Sequence, residues 1–400
     1  DPKQKVQFTL SIAISNEGKN DKDKYKSAQT AMDIVLGRGG DQAVIRQNDI
    51  YKFFGGRAQE VEKRTKVKAR VVAHALENLI KESSKVMIMG HMNPDIDAMG
   101  SSIGVYRIAK SLDKNAYIIT SNTPTLQSFK ESLLAEEPEY EDVLISKEVA
   151  EENIDEDTLL VIVDTHKNTY VESEEVVKKA KKIVVIDHHR RSADYIEDAT
   201  LTFQEVYASS AAELVTELLQ YTDVNVELKK IEAESLYAGI MMDTKSFTFK
   251  TGVRTFEAAA FLRKCGVDII KVKKWFQSDL QSFNIIADIV KSAEIVNESI
   301  AIAIYDKEKA KDVSLICAKA ADELLTINDV TASFVLGNTG DKICISGRSI
   351  GDINVQVILE KLGGGGHITL AGAQVEGMTM EEAKQELIIR INEYFTEIEN

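Results

Sequence analysis

The stretch MGHMNPDIDAMGSS, residues 89 to 102, sets His91, Asp95 and Asp97 at the mouth of an apolar run. Three later stretches carry the same chemistry. LLVIVDTH ends in Asp164 and His166, KIVVIDHH in Asp187, His188 and His189, and LYAGIMMDT places Asp243 after an apolar helical stretch. Each has a plainer reading when taken singly. An aspartate after a strand is commonly a helix N-cap, which Asp97 or Asp243 could be, and a lone histidine is commonly structural. The cluster shifts that balance, because carboxylates converging in one crevice repel strongly unless cations neutralise them. Imidazole and carboxylate without thiolate suit a divalent ion such as Mn2+ better than structural zinc. Six ligands hold two such ions, about 3.5–4 Å apart, if one carboxylate bridges them, and the pair activates a water and clamps phosphate oxygens. Asn93 and Pro94 then fix the turn that lets Asp95 and Asp97 face different ions.

A second group of residues suits anions. Gly363, Gly364, Gly365 and Gly366 precede His367, and glycines permit conformations and close approach that a side chain would hinder. Backbone N–H groups of such a run can cradle an anion, with Arg348 and His367 as further donors. A flexible loop is the plainer alternative. Of the six histidines, only His74 lies outside these motifs.

The elements that must position these residues are legible as patterns. KVMIMG, NAYIIT, TLLVIVD and KIVVID are short β-branched runs separated by amphipathic stretches, which predicts a parallel sheet with helices on both faces. Ligands of such sheets bind beyond the carboxyl ends of the strands, where the acidic and histidine residues fall. A helical region is predicted over about 209–290, and a second α/β segment from 299, ending in an amphipathic helix after Met380. Ahead of the first sheet, residues 6–14 read as a buried strand, followed by a helix, a glycine turn and a strand. A charged connecting helix is predicted over about 59–82.

Four hundred residues suggest two or three domains. The net charge of −15 disfavours a duplex nucleic acid partner, because an acidic surface repels phosphate except at a local cationic or metal-bearing site. Three scattered cysteines, Cys265, Cys317 and Cys344, fit a reducing cytoplasm and no disulfide frame. The longest apolar runs are strand-sized, so no membrane contact is expected of this chain. It begins DPKQKVQFTLSIAIS, without a Met and directly on a strand pattern, and is expected to be a piece of a longer protein.

HMNPDIDAMGSS, DTH, DHH and MMDT, in this order, resemble the successive motifs of the DHH phosphoesterase superfamily, and SGRS with EKLGGGGH resembles its DHHA1 substrate domain. The resemblance implies a doubly wound parallel-sheet DHH domain (84–245), a helical linker (246–298) and a smaller α/β DHHA1 domain (299–400). It implies that His91, Asp95 and Asp164 hold one manganese, and Asp97, Asp164, His188 and Asp243 the other, with Asp164 bridging. Asp187 and His189 are implied to stand behind the ligands and face the phosphate, Asp187 orienting the neighbouring ligand His188, and both count as catalytic with Arg348 and His367. Ser346, Arg348, the four glycines and His367 bind substrate, and His166 supports the site.

FTLSIAIS and the following helix resemble the end of a GGDEF domain (1–50), joined by the connecting helix (51–83). Asp33 stands where an aromatic is usual. Gly39-Gly40-Asp41 is a decoy, followed by Gln42 and Ala43, so cyclase activity is not expected. A degenerate GGDEF joined to DHH and DHHA1 is the arrangement of the GdpP-type cyclic-di-AMP phosphodiesterases. That family implies opening of cyclic di-AMP to linear 5'-pApA by a water activated by two Mn2+, lowering second-messenger levels. It also implies a homodimer and, for the full-length bacterial protein, anchoring in the cell membrane by upstream helices, with this part in the cytoplasm. An oligoribonuclease or pAp phosphatase sharing the DHH core, and a cyclic-dinucleotide sensor without catalysis, are the alternatives.

Overall fold

The computed structural model describes residues 10–37, 42–47, 50–55, 66–277, 279–306, 312–340 and 342–399. They form two units, which meet in sequence between Phe276 and Gln277.

The first unit begins with β1 (Ile12–Ser15), α1 (Asp21–Gly37), β2 (Gln42–Gln47) and β3 (Ile50–Gly55), in the sheet order β1-β2-β3. β1 differs from the buried strand expected over 6–14: Ile12 and Ile14 are exposed, and residues 6–9 lie outside the described ones. β3 pairs antiparallel with β2, so this sheet runs past the expected boundary at residue 50. The connecting helix is α2 (Lys66–Lys81). Its expected start, from Gln59, lies outside the described residues.

The sheet that positions the chemistry follows. Its strands are β4 (Val86–Met89), β5 (Ala116–Ile119), β6 (Leu144–Ile145), β7 (Leu159–Val163), β8 (Lys182–Asp187) and β9 (Leu201–Gln204), all parallel. The crossovers carry α3 (Ile96–Ser111), α4 (Gln127–Glu136), α5 (Tyr140–Val143), α6 (Lys147–Asn153) and α7 (Glu174–Lys179). After β9 come α8 (Ala211–Leu219), α9 (Lys230–Asp243), α10 (Val253–Lys264) and α11 (Ile269–Trp275). Alternation along each strand explains its near-continuous apolar sequence. Val86, Ile88, Val161 and Val163 enter a core shared with α2, α3, α8 and α9, while Met87, Met89, Leu160 and Ile162 enter a second core with α6 and α7. Burial on both faces is what a parallel sheet requires.

The spatial order is β6-β5-β4-β7-β8-β9. Sequence order reverses between β4 and β7, so their outgoing chains diverge and leave a crevice beyond the strand ends. This is the doubly wound architecture. Glycines then bring α9 against α3: a Cβ at Gly100 would lie 2.4 Å from the Ser235 carbonyl oxygen. Glu232, fully buried on α9, accepts from Arg107 Nε at 2.9 Å, from Tyr140 Oη at 2.7 Å and from the Lys229 N–H at 2.8 Å. A carboxylate removed from water needs that degree of satisfaction.

The second unit has β10 (Glu294–Val296), β11 (Ile300–Tyr305), β12 (Ala332–Asn338), β13 (Ile343–Ser349), β14 (Gly365–His367) and β15 (Leu370–Val375), ordered β10-β11-β12-β13-β15-β14. Only β11 and β12 pair in parallel. α12 (Leu280–Lys291) and α13 (Val313–Leu324) pack on one face; α14 (Val355–Glu360) and α15 (Met380–Glu399) pack on the other. The expected linker 246–298 is therefore divided, with Ala258, Leu262 and Val272 of α10 and α11 in the first unit's core and Ile286 and Ile289 of α12 in the second's.

Gly100→Ala should lower stability by about 1–3 kcal/mol, because the added methyl meets backbone rather than a movable side chain. A thermal melt of the full chain checks this.

Candidate metal centre

α3 starts where the chain leaves β4, and Asp95 is its N-cap: Oδ1 accepts from the Asp97 and Ala98 N–H groups at 2.9 and 3.1 Å. That turn leaves Asp95 Oδ2 3.8 Å from His91 Nε2. Asp97, one residue into the helix, points elsewhere. Its two carboxylate oxygens accept from the Ala211 and Ala212 N–H groups, at 2.8 and 2.9 Å, so it satisfies the start of α8. The capping role considered for Asp97 is thus real but directed at a distant helix, and each oxygen keeps a second lone pair. Gly239 makes room for this carboxylate, since a Cβ there would sit 2.6 Å from Asp97 Oδ1.

Asp164 ends β7 with φ +59°, a left-handed conformation that aspartate adopts more readily than most residues. It is buried, and its two oxygens face different partners. Oδ2 lies 3.5 Å from His91 Nε2, and Oδ1 lies 3.3 Å from His188 Nε2. His188 Nε2 in turn lies 3.1 Å from Asp243 Oδ2, at the end of α9. His91, Asp95 and Asp164 therefore form one set of converging ligand atoms, and Asp97, His188 and Asp243 another. Asp164, His188 and His189 also converge. The structure brings together all six residues expected as ligands.

Burial works against ionisation throughout this cluster. It raises Asp97 well above the usual carboxylate range, with Asp164 and Asp243 adding to the shift, and it raises Asp243, where His188 partly offsets it. Burial also opposes the Asp164 charge, yet His188 and His91 hold that carboxyl below its usual range. His91 is pushed up to about 11: burial opposes its protonated form, and Asp164 and Asp95 outweigh burial. His188 is raised for the same reason by Asp164 and Asp243.

Asp164 Oδ1 and His188 Nε2 are buried without a hydrogen-bond partner, although buried polar atoms almost always have one. A divalent cation fits such a donor set. The buried charge also calls for positive charge beyond two imidazoles.

Asp187 lies behind the cluster rather than in it. It is fully buried at the end of β8, accepting from His166 Nδ1, from His189 Nδ1 at 2.8 Å and from the His189 N–H at 3.2 Å. Burial opposes its ionisation, but His189 and His166 hold it well below the usual range. It orients two rings instead of meeting a ligand. His166 is fixed from its other side by the Ser192 N–H, 2.9 Å from Nε2. His189 is half-exposed, and Nδ1 is the ring atom held by Asp187. Sequence reasoning missed Gly239, Ser192 and Tyr170, whose ring stacks on His91 with centroids 5.4 Å apart. No local motif marks them.

In the second unit, β13 carries Ser346 and Arg348 on one face. Arg348 is buried, with Nε donating to Asp322 at 3.0 Å and Nη1 to the Gly347 carbonyl at 2.9 Å. The glycine run is not the flexible loop weighed as its plainer alternative. Gly365–His367 is the edge strand β14, and Gly363 turns with φ +76°. A Cβ at Gly364 would lie 2.3 Å from the Gly372 carbonyl oxygen, so close strand approach explains that glycine. Register aligns Arg348 with Leu370 and Leu370 with His367, while Ser346 aligns with Gly372 and Gly372 with Gly365. The His367 side chain lies outside the described residues.

Comparison with known proteins agrees with this architecture. Residues 85–240 match the DHH family N-terminal domain, 299–397 the DHHA1 domain, and 1–53 the GGDEF domain of GdpP-like cyclic-di-AMP phosphodiesterases. The chain is 46% identical to the cyclic-di-AMP phosphodiesterase GdpP of Geobacillus thermodenitrificans and 44% identical to the cyclic-di-AMP phosphodiesterase PdeA of Listeria monocytogenes. Each alignment takes in 98% of this chain and 60% of the relative, so the chain spans well under two thirds of their length. A bifunctional oligoribonuclease and PAP phosphatase of Thermus thermophilus is 26% identical over 82% of the chain and 95% of its own length. Among solved structures, an exopolyphosphatase-related protein from Bacteroides fragilis shares the fold, with a TM-score of 0.73 and 21% identity over 85% of this chain and all of that one.

A cation must displace protons from His91 and His188, so Mn2+ affinity should rise with pH. In the cation-free chain, stability should respond oppositely. The His91 contribution is fully present below about 6.5, its unfolded value, and is lost as pH rises toward the folded value of about 11. Calorimetric titration and melts between pH 6 and 9 read both slopes.

Proposed function

Since the chain belongs to the DHH family, with a DHHA1 domain after the DHH domain and a GdpP-like GGDEF segment before it, we propose that it hydrolyses cyclic di-AMP to linear 5'-pApA with two Mn2+ ions per site. The observation that carries this reading is the division of Asp164, one oxygen toward His91 and Asp95, the other toward His188 and its neighbours Asp97 and Asp243. Ions bound there would supply Lewis acidity and a water of lowered pKa.

The chain's own residues do the remaining work. Asp187 holds His189 through Nδ1, so Nε2 is the atom available to exchange a proton with the phosphodiester. His166 and Ser192 keep Asp187 aimed and out of reach of the substrate. Arg348, fixed by Asp322, and the β14 edge with Ser346 and His367 are the groups read as holding phosphate. A guanidinium aimed by one carboxylate keeps further donors for another anion. The same reading has the chain as the cytoplasmic part of a membrane-anchored homodimer; among the described residues, no helix is long and apolar enough to cross a membrane.

With Mn2+ the chain should open cyclic di-AMP, and titration should count two ions. Asp164→Ala should lose both the ions and turnover, while circular dichroism stays native. Faster cleavage of pAp or short RNA would assign the chain to the oligoribonuclease class, and Mn2+ binding without turnover would leave a sensor. Arg348→Ala should raise KM for cyclic di-AMP about ten-fold or more, the scale of one charge-assisted hydrogen bond, with Mn2+ affinity unchanged.

A further inference from the structure

The chain between β8 and β9 must carry His189 outward from the sheet and still keep its ring in one orientation. Asp187 holds Nδ1 and also accepts from the His189 N–H at 3.2 Å, which leaves the carbonyl side of residue 189 to be fixed. The second anchor is Gln204, the last residue of β9, which register places opposite Asp187. Gln204 Nε2 donates to the His189 carbonyl at 2.8 Å, and its Oε1 accepts from Arg191 Nε at 3.0 Å. Both ends of this amide are specified. A carbonyl needs a donor and a guanidinium needs an acceptor, so the flipped amide would oppose like groups on both sides. Arg191 is held in turn over the Tyr195 ring, 4.8 Å from its centroid.

We propose that Gln204 is a positioning residue for His189, clamping the peptide after the histidine so that Nε2 meets the substrate in one orientation. Gln204 and Arg191 line a cavity of about 440 Å3 together with Asp33, Lys68, Thr202 and Tyr207, and no residue of the cation cluster lines it. The clamp can therefore be altered without touching a cation ligand. The proposal rests on the reading of His189 as a group that meets the phosphodiester.

Two variants of the full chain separate the contacts. Gln204→Ala removes both bonds. Gln204→Glu keeps the shape and the acceptor for Arg191, and loses the donor to His189. Both should lower kcat on cyclic di-AMP about 10-fold or more, since small misplacements of a catalytic group are costly. KM and Mn2+ affinity should stay within about two-fold of the wild type, because neither substrate binding nor the cluster is touched. The His189 ring carbon–proton resonance should be single in the wild type and should broaden or double in both variants, whether or not the chain turns over this substrate. An unchanged resonance, or wild-type kcat in Gln204→Glu, overturns the proposal. So does a matching loss of Mn2+ affinity, which would make Gln204 a support of the whole cluster. If Gln204→Ala fails to fold, the near-isosteric Gln204→Glu carries the test. A wild type inactive on cyclic di-AMP and on bis(p-nitrophenyl) phosphate with Mn2+ defeats the hydrolytic reading instead, and the ring resonance still decides the role of Gln204.

Discussion

Too much negative charge in too little water is the condition that organises this molecule. Asp97 and Asp164 are buried, and Asp95 and Asp243 stand beside them at the ends of strands and helices. Such a group cannot stay ionised unaided. The neighbouring carboxylates raise His91 and His188, and burial raises Asp97 and Asp243. Cations answer that condition better than protons, because each holds several oxygens at once. The acidic whole-chain charge repels anions elsewhere, so a cation-bearing centre would be a local exception to that field.

Holding the carboxylates against their repulsion takes rigid elements. The doubly wound order splits the chains leaving β4 and β7, so the two halves of the centre come from divergent connections. Asp95 and Asp97 are fixed to helix starts, Asp243 to a helix end, and Asp164 to a strand end in a left-handed turn. Behind them, Asp187 ties two imidazoles to the sheet. A site assembled from element termini keeps its geometry more tightly than one on free loops.

The residues expected as ligands were legible because each lies at or a few residues past the end of an apolar run that reads as a buried strand or helix. The alternation of those runs also revealed the parallel sheet. What stayed hidden depends on contacts distant in sequence. The bond from Ala211 to Asp97 joins residues 114 apart, and no local pattern announces it. Gly239 carries no signal of its own, because its reason is the Asp97 carboxylate on α3 that packs against it. Asp187 shares its motif with two histidines, and only the depth of β8 separates a buried orienting carboxylate from an exposed reacting one. The glycine run suggested a loop because glycine disfavours strands on average, yet edge pairing with β15 at close range overrides that preference.

The double duty of Asp97 bears on how chains of this kind can diverge. A ligand that serves only an ion is released from constraint once the ion is no longer needed, and His188 could then drift. Asp97 could not, because the amides at the start of α8 would lose their acceptor inside a dry core. In a lineage that abandoned the chemistry, this aspartate would outlast its partners as a relic kept by folding alone. On the proposed ligand set, keeping Asp97 would report on the fold alone, while losing His188 or Asp243 would report on the chemistry.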